Sequence, residues 1–173
     1  LLNIVLDLGI TNYNVKNIAQ HHQLFDKHFS GIITLRFLLV FLYLFATFLI
    51  AFFIGYDSAQ FKILCILALN QALVAFILYI RSNLAGLHLF LEDSLISVLD
   101  RMLLIIICST LLWGGVSEKP FQIEWFVYAQ TISYLITLLI CFMLVIRKTS
   151  KFVFKWNTAF AIVILKKSLP YAL

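Results

Sequence analysis

The sequence predicts an all-α fold, a polytopic transmembrane helix bundle, and three observations carry that expectation. Hydrophobic residues make up 63% of the 173 positions and charged residues 12%, with a mean hydropathy of +1.02. Soluble domains hold about 45–50% apolar and about 25% charged residues, so the charge here is half the ordinary value. Apolar stretches recur at the length of roughly 20 residues that a helix needs to cross ~30 Å of hydrocarbon. They are also too long, and too continuous, for the alternating strands of a membrane barrel. Six glycines, two prolines and 16% aromatic residues exclude collagen-like and disordered chains.

Five stretches and the start of a sixth follow in order. Span A, Leu1 to Ala19, is unusually polar: Asn3, Asp7, Thr11, Asn14 and Asn17 recur at steps of four, four, three and three. On a continuous helix they share an arc of about 120°, with Leu1, Val5, Leu8 and Ala19 opposite. Lys16 lies about 13 Å along the axis from Asp7. With Lys16 at the membrane edge, Asp7 falls deep in hydrocarbon, where a carboxylate costs at least ~2.5 kcal/mol unless it is solvated or paired. Two readings stay open: a helix lining a water-filled cavity, or a polar seam packed on another helix.

Span B, Gly31 to Gly55, is almost wholly apolar but sets Arg36, Tyr43 and Thr47 on one face. Arg36 either joins the cavity or snorkels to the interface. Span C, Phe61 to Ile80, carries Asn70, and the polar break Arg81–Asn83 follows. Span D, Leu95 to Trp113, is preceded by Asp93 and holds Ser97, Asp100 and Arg101 near its start. Span E, Ile123 to Ile146, aligns Gln130, Tyr134, Thr137 and Cys141. A sixth stretch begins near Thr158. Polar stripes in several neighbouring spans point to a shared cavity. The candidates to line it are Asp7, Thr11, Asn14, Arg36, Tyr43 and Asn70. Lys16, Arg81, Asp100 and Arg101 are expected as interface or gate charges.

Eleven of the thirteen Lys and Arg residues fall in or beside the A–B, C–D and E–F connections; Lys62 and Lys119 are the exceptions. Basic residues mark the cytoplasmic side, so these three connections are expected there. Trp113, Phe121, Trp125 and Tyr128 flank the opposite D–E loop as an aromatic belt would. The run Arg147, Lys148, Lys151, Lys155 is thereby a topology feature, and no nucleic-acid partner is expected.

Groups that would mark an enzyme are sparse. His21, His22 and His28 lack an established metal spacing and fit a solvated loop. Glu92, Asp93 and Asp100 have the chemistry for a divalent cation, but Asp100 beside Arg101 more simply neutralises a charge at a membrane edge. No zinc-protease, nucleophile-elbow, P-loop or dinucleotide motif occurs. We therefore assign no catalytic residue, no metal and no cofactor. Cys65, Cys108 and Cys141 sit in apolar runs and read as buried free thiols. The chain opens at Leu1 and stops at Leu173 in apolar sequence, and reads as an internal piece of a longer membrane protein, without the pattern of a signal peptide.

Three stretches carry a resemblance. "DLGITNYNVKNIAQ" (Asp7 to Gln20) is similar to the second-span pattern of bacterial O-antigen and capsule flippases, through Asp7, Gly9, Lys16, Ile18 and Ala19. "YIRSNLAGLHLFLEDSLISVLDR" (Tyr79 to Arg101) resembles the join of their fourth and fifth spans, and "LKKSLPYAL" (Leu165 to Leu173) the start of the seventh, with Pro170 in place. The family is the Wzx-like branch of the multidrug/oligosaccharidyl-lipid/polysaccharide flippase superfamily. Lys16 departs from the arginine of many members; it keeps the charge and loses the bidentate fork.

The resemblance implies a two-lobe fold like that of the multidrug antiporters, of which residues 1–157 would be most of the N-lobe and 158–173 the start of the second. It implies that a polyprenyl-diphosphate-linked oligosaccharide crosses the bacterial cytoplasmic membrane by alternating access, with membrane lipids around the protein and a coupling cation, Na⁺ or H⁺, left open. Arg36 is the best candidate for the diphosphate. The rivals are a cation-coupled drug antiporter on the same fold, a membrane-embedded glycosyl- or phospho-transferase using Glu92 and Asp93, and a scaffold that transports nothing.

Overall fold

The computed structural model of the chain describes residues 6–20, 25–113, 122–148 and 158–171. Every regular element among them is helical: α1 (Ile10–Gln20), α2 (Phe25–Ile54), α3 (Ser58–Gly86), α4 (Phe90–Trp113), α5 (Ile123–Lys148), α6 (Thr158–Ser168) and a closing 3₁₀ turn (Leu169–Tyr171). Four segments are long and apolar enough to cross a membrane: Gly31–Ile54, Ser58–Gly86, Phe90–Trp113 and Ile123–Arg147. The shortest, at 24 residues, spans about 36 Å. Pro120 and Pro170 both lie outside these four, so no ring interrupts their hydrogen-bond ladders.

The turn between α2 and α3 is written in local chemistry. Gly55 takes φ 77°, a left-handed conformation that glycine adopts without Cβ strain. Its N–H donates to the Phe52 carbonyl at 3.2 Å, and the Tyr56 N–H reaches the Ala51 carbonyl at 3.3 Å, which is the Schellman pattern. Asp57 caps α3, and its N–H donates to Gln60 Oε1 at 3.2 Å, half of a capping box.

The α3–α4 turn departs from expectation. Arg81–Asn83 is not a break: α3 continues through it to Gly86, six residues past the expected end of the span. Ser82 Oγ and Asn83 Nδ2 both donate to the Tyr79 carbonyl, at 2.6 and 3.0 Å, so these polar side chains are satisfied inside the helix. The stop comes where His88 adopts φ 60° and the Leu89 N–H closes on the Leu84 carbonyl at 2.9 Å.

Gly86, the residue a reader would choose as the cap, has a packing role. A Cβ built there would lie 2.8 Å from Ile18 Cβ and 3.2 Å from the Val15 carbonyl oxygen. The missing side chain is what lets α1 dock on α3.

Helix α3 is the hub, packing against α1, α2, α4 and α5, while α6 packs on α2 and α1. The core joins Ile10 and Ile18 of α1, Ile32 and Leu35 of α2, Leu84 of α3 and Ile164 of α6. Outside it the surface is apolar: Phe41 and Phe52 on α2 are 73% and 82% exposed, and Leu91 on α4 is 71% exposed. Water would not leave so large an area bare, so these faces call for an apolar surrounding. That is the character of a membrane-spanning protein.

Candidate functional site

The expectation of one continuous helix over span A fails at Leu8–Gly9. Leu6 and Asp7 are helical, Leu8 and Gly9 form a turn with φ 42° and 72°, and α1 restarts at Ile10. Positive φ at leucine is uncommon and strained, and persists only where neighbours hold it. Here a charge binds the residues on either side of the turn. Arg36, 1% exposed on α2, donates from one terminal nitrogen to the Leu6 carbonyl at 2.6 Å. Its other terminal nitrogen reaches Asp7 Oδ1 at 2.6 Å and Thr11 Oγ1 at 2.8 Å. The Thr11 hydroxyl also donates to Asp7 Oδ1, and the Thr11 N–H points to the same oxygen at 3.3 Å. The carboxylate thus serves the free Thr11 N–H in the first turn of α1, where negative charge is favoured.

The cluster sits well inside the bundle. Leu6, Asp7 and Arg36 share a cavity of about 80 Å³ with Gln71, Val74 and Ala75, the residues around the midpoint of α3. The Arg36 guanidinium lies 5.8 Å from the centre of the Tyr79 ring, within cation–π range. Arg36 therefore does not snorkel to an interface: its charge is met by Asp7 and a π face. Its Nε, buried, has no hydrogen-bond partner among the described residues. The Asp7 side chain is 37% exposed, so the ion pair is shielded on one side and open on the other.

The remaining cavity candidates divide. Thr11 joins the cluster, and Tyr43 packs beside it in a small apolar group with Leu6, Ala68 and Ala75. Asn14 does not face a cavity: it is fully buried, and its Nδ2 donates to Ser82 Oγ and Asn83 Oδ1, both at 2.8 Å. Asn70 is likewise 1% exposed, accepting from Thr131 Oγ1 at 2.8 Å and lying 3.4 Å from Gln130 Oε1. Both are polar seams, Asn14 between α1 and α3 and Asn70 between α3 and α5.

The four residues expected as interface or gate charges are placed as follows. Lys16 is exposed, its Nζ 3.2 Å from the Tyr171 hydroxyl and 5.3 Å from that ring's centre. Arg81 Nε binds Asp93 Oδ1 at 2.6 Å, joining α3 to α4 across their turn. Asp100 accepts the Arg101 N–H at 2.8 Å, and its other oxygen lies 3.7 Å from Arg101 Nε, with Arg101 70% exposed. His21, His22 and the side chain of His28 lie outside the described residues. Among those described, no group of three His, Cys, Asp or Glu side chains is placed to hold a metal ion.

Sequence reasoning missed a second polar edge. On α1 the positions that point away from the bundle are Asn12, Lys16 and Gln20, all exposed, at a strict four-residue spacing that puts them on one face. The expected stripe, continued on α1 by Thr11, Asn14 and Asn17, lies on the neighbouring face and turns towards the bundle, with Asn14 buried and the other two half-buried. The spacing of Asn12, Lys16 and Gln20 was the cue that would have found this edge. Gln71 was also missed, hidden in an otherwise apolar window, while Ser82 and Asn83 were read as part of a polar break and not as partners of Asn14.

Comparison of the chain with family models, with curated proteins and with solved structures finds no match.

Proposed function

We propose that this chain belongs to a membrane transporter that carries a polyprenyl-diphosphate-linked oligosaccharide across the bacterial cytoplasmic membrane by alternating access. The observation that carries the reading is the interruption of a helix at Leu8–Gly9, beside an ion pair of buried Arg36 with partly exposed Asp7, at the mid-length of α3. Transporters place discontinuous helices and their freed backbone groups at this depth, where substrate and ions bind. A scaffold that only packs would be expected to bury leucine there; a charged pair in hydrocarbon is expensive.

The flippase substrate is favoured by the resemblance in the second, fourth-to-fifth and seventh spans, and by the polar edge of α1. Asn12, Lys16 and Gln20 would face lipid only at high cost; beside a headgroup passage they replace the hydrogen bonds of water. Arg36 would hold the diphosphate, exchanging Asp7 for phosphate oxygens as the lobes rock. The A–B, C–D and E–F connections would face the cytoplasm.

The test is a complementation assay in cells lacking their own O-antigen or capsule flippase. Asp7→Asn with Arg36→Gln is expected to reduce surface polysaccharide at least tenfold at normal protein abundance. Wild-type export from that double variant would end the reading.

A further inference from the structure

Three oxygens converge on the Arg36 guanidinium, and each is of a type that binds hard cations. The Leu6 carbonyl is freed from its helix by the turn at Leu8–Gly9, Asp7 supplies one carboxylate oxygen, and Thr11 adds a hydroxyl; their distances to the two terminal nitrogens are 2.6, 2.6 and 2.8 Å. A freed carbonyl, one carboxylate and one hydroxyl at a helix break is donor chemistry for a small monovalent ion. The site carries a single negative charge, so one positive charge neutralises it and a divalent ion would overcharge it. In this structure that positive charge belongs to the protein.

We infer that Leu6, Asp7 and Thr11 form a monovalent-cation site that Arg36 occupies as a tethered cation. A chain so equipped has no need of Na⁺ at this position, because the ion is supplied in covalent form by α2. Withdrawing the guanidinium exposes the site to a free ion and makes the fold depend on Na⁺. The inference rests on the geometry of the break alone, so it can fail while the transport reading stands.

The experiment compares thermal unfolding of the purified full chain in detergent, with equal concentrations of sodium chloride or choline chloride at mildly alkaline pH. Wild-type protein and Arg36→Lys, which both keep a tethered charge, are expected to melt alike in the two salts. Arg36→Met is expected to melt higher in Na⁺ by about 7 °C, the shift given by a ligand at about a hundred times its dissociation constant in a chain of this size. Adding Asp7→Asn to Arg36→Met is expected to abolish that shift. Folding of Arg36→Met only when Na⁺ is present supports the site equally. Equal melting of Arg36→Met in both salts overturns it, as does stabilisation by lowered pH but not by Na⁺. A Na⁺ response that survives Asp7→Asn also overturns it. So does Arg36→Met that folds in neither salt while the double variant folds in both.

Discussion

At the scale of single residues, the polar side chains fall into two kinds that the sequence writes in the same letters. Asn14 and Asn70 are fastening groups, each spent on a neighbouring helix. Asn12 is of the same residue type as Asn14 and two positions away, yet faces out. Cysteines introduced at Asn12, Lys16 and Gln20, with the three native cysteines replaced, are expected to react with a membrane-impermeant thiol reagent. Cysteines at Asn14 and Asn70 are expected to stay unreacted. Losing a fastening group has a modest effect: Asn14→Ala should lower stability by about 0.6–1.7 kcal/mol, the range for hydrogen bonds between membrane helices, measured as a shift in unfolding midpoint. Arg36 is the contrary case. Arg36→Ala in plain buffer should cost about 1–3 kcal/mol, because it leaves the half-exposed Asp7 carboxylate without its counter-charge and the Leu6 carbonyl without its donor.

At the scale of elements, what was legible follows from what each signature measures. Hydropathy windows report burial in an apolar medium, and they located α2 and α5 to within a few residues, except that α2 begins earlier, at Phe25. They cannot report helicity, so Arg81–Asn83 read as a break although its side chains bond back to the Tyr79 carbonyl. The turn at Leu8–Gly9 had only one glycine to announce it, and glycine inside an apolar run has many uses. Leu8 itself, with φ 42°, carries no signature at all, since leucine seldom adopts positive φ and the bonds that hold its neighbours Leu6, Asp7 and Thr11 come from another helix. The candidate site was legible as residues and only partly as geometry: the four-residue step put Asp7 beside Thr11, but nothing in the sequence showed that Arg36 would meet both from another helix. Gly86 makes the element-scale prediction. Gly86→Val should separate α1 from α3 and cost about 1–3 kcal/mol, as overpacking of a tight contact does. The loss should appear as a lower melting temperature and as new reactivity of a cysteine at Asn14.

At the scale of the whole molecule, the exposed surface is apolar on α2 and α4 and polar along one edge of α1. The faces of α2 and α4 fit an apolar surrounding; under the proposed function the edge of α1 would border the headgroup passage. Under the proposed orientation, a cysteine at His88, in the α3–α4 turn, should label from the cytoplasmic side, and one at Tyr56, in the α2–α3 turn, from the opposite side. The reverse pattern would invert the bundle and move the cytoplasmic end of the passage with it.

The Asp7–Arg36 pair also bears on how the chain is made. The two residues are 29 positions apart, and Asp7 is synthesised first. At about 5–20 residues per second, ribosomes take roughly 1.5–6 s to add the arginine. Throughout that interval the carboxylate has no guanidinium to meet it, and its entry into lipid is disfavoured by about 2.5–3.5 kcal/mol. Pairing with Arg36 offsets that cost, so the segment around Asp7 is expected to enter lipid together with α2 rather than ahead of it, and the order of birth along the chain need not be the order of insertion.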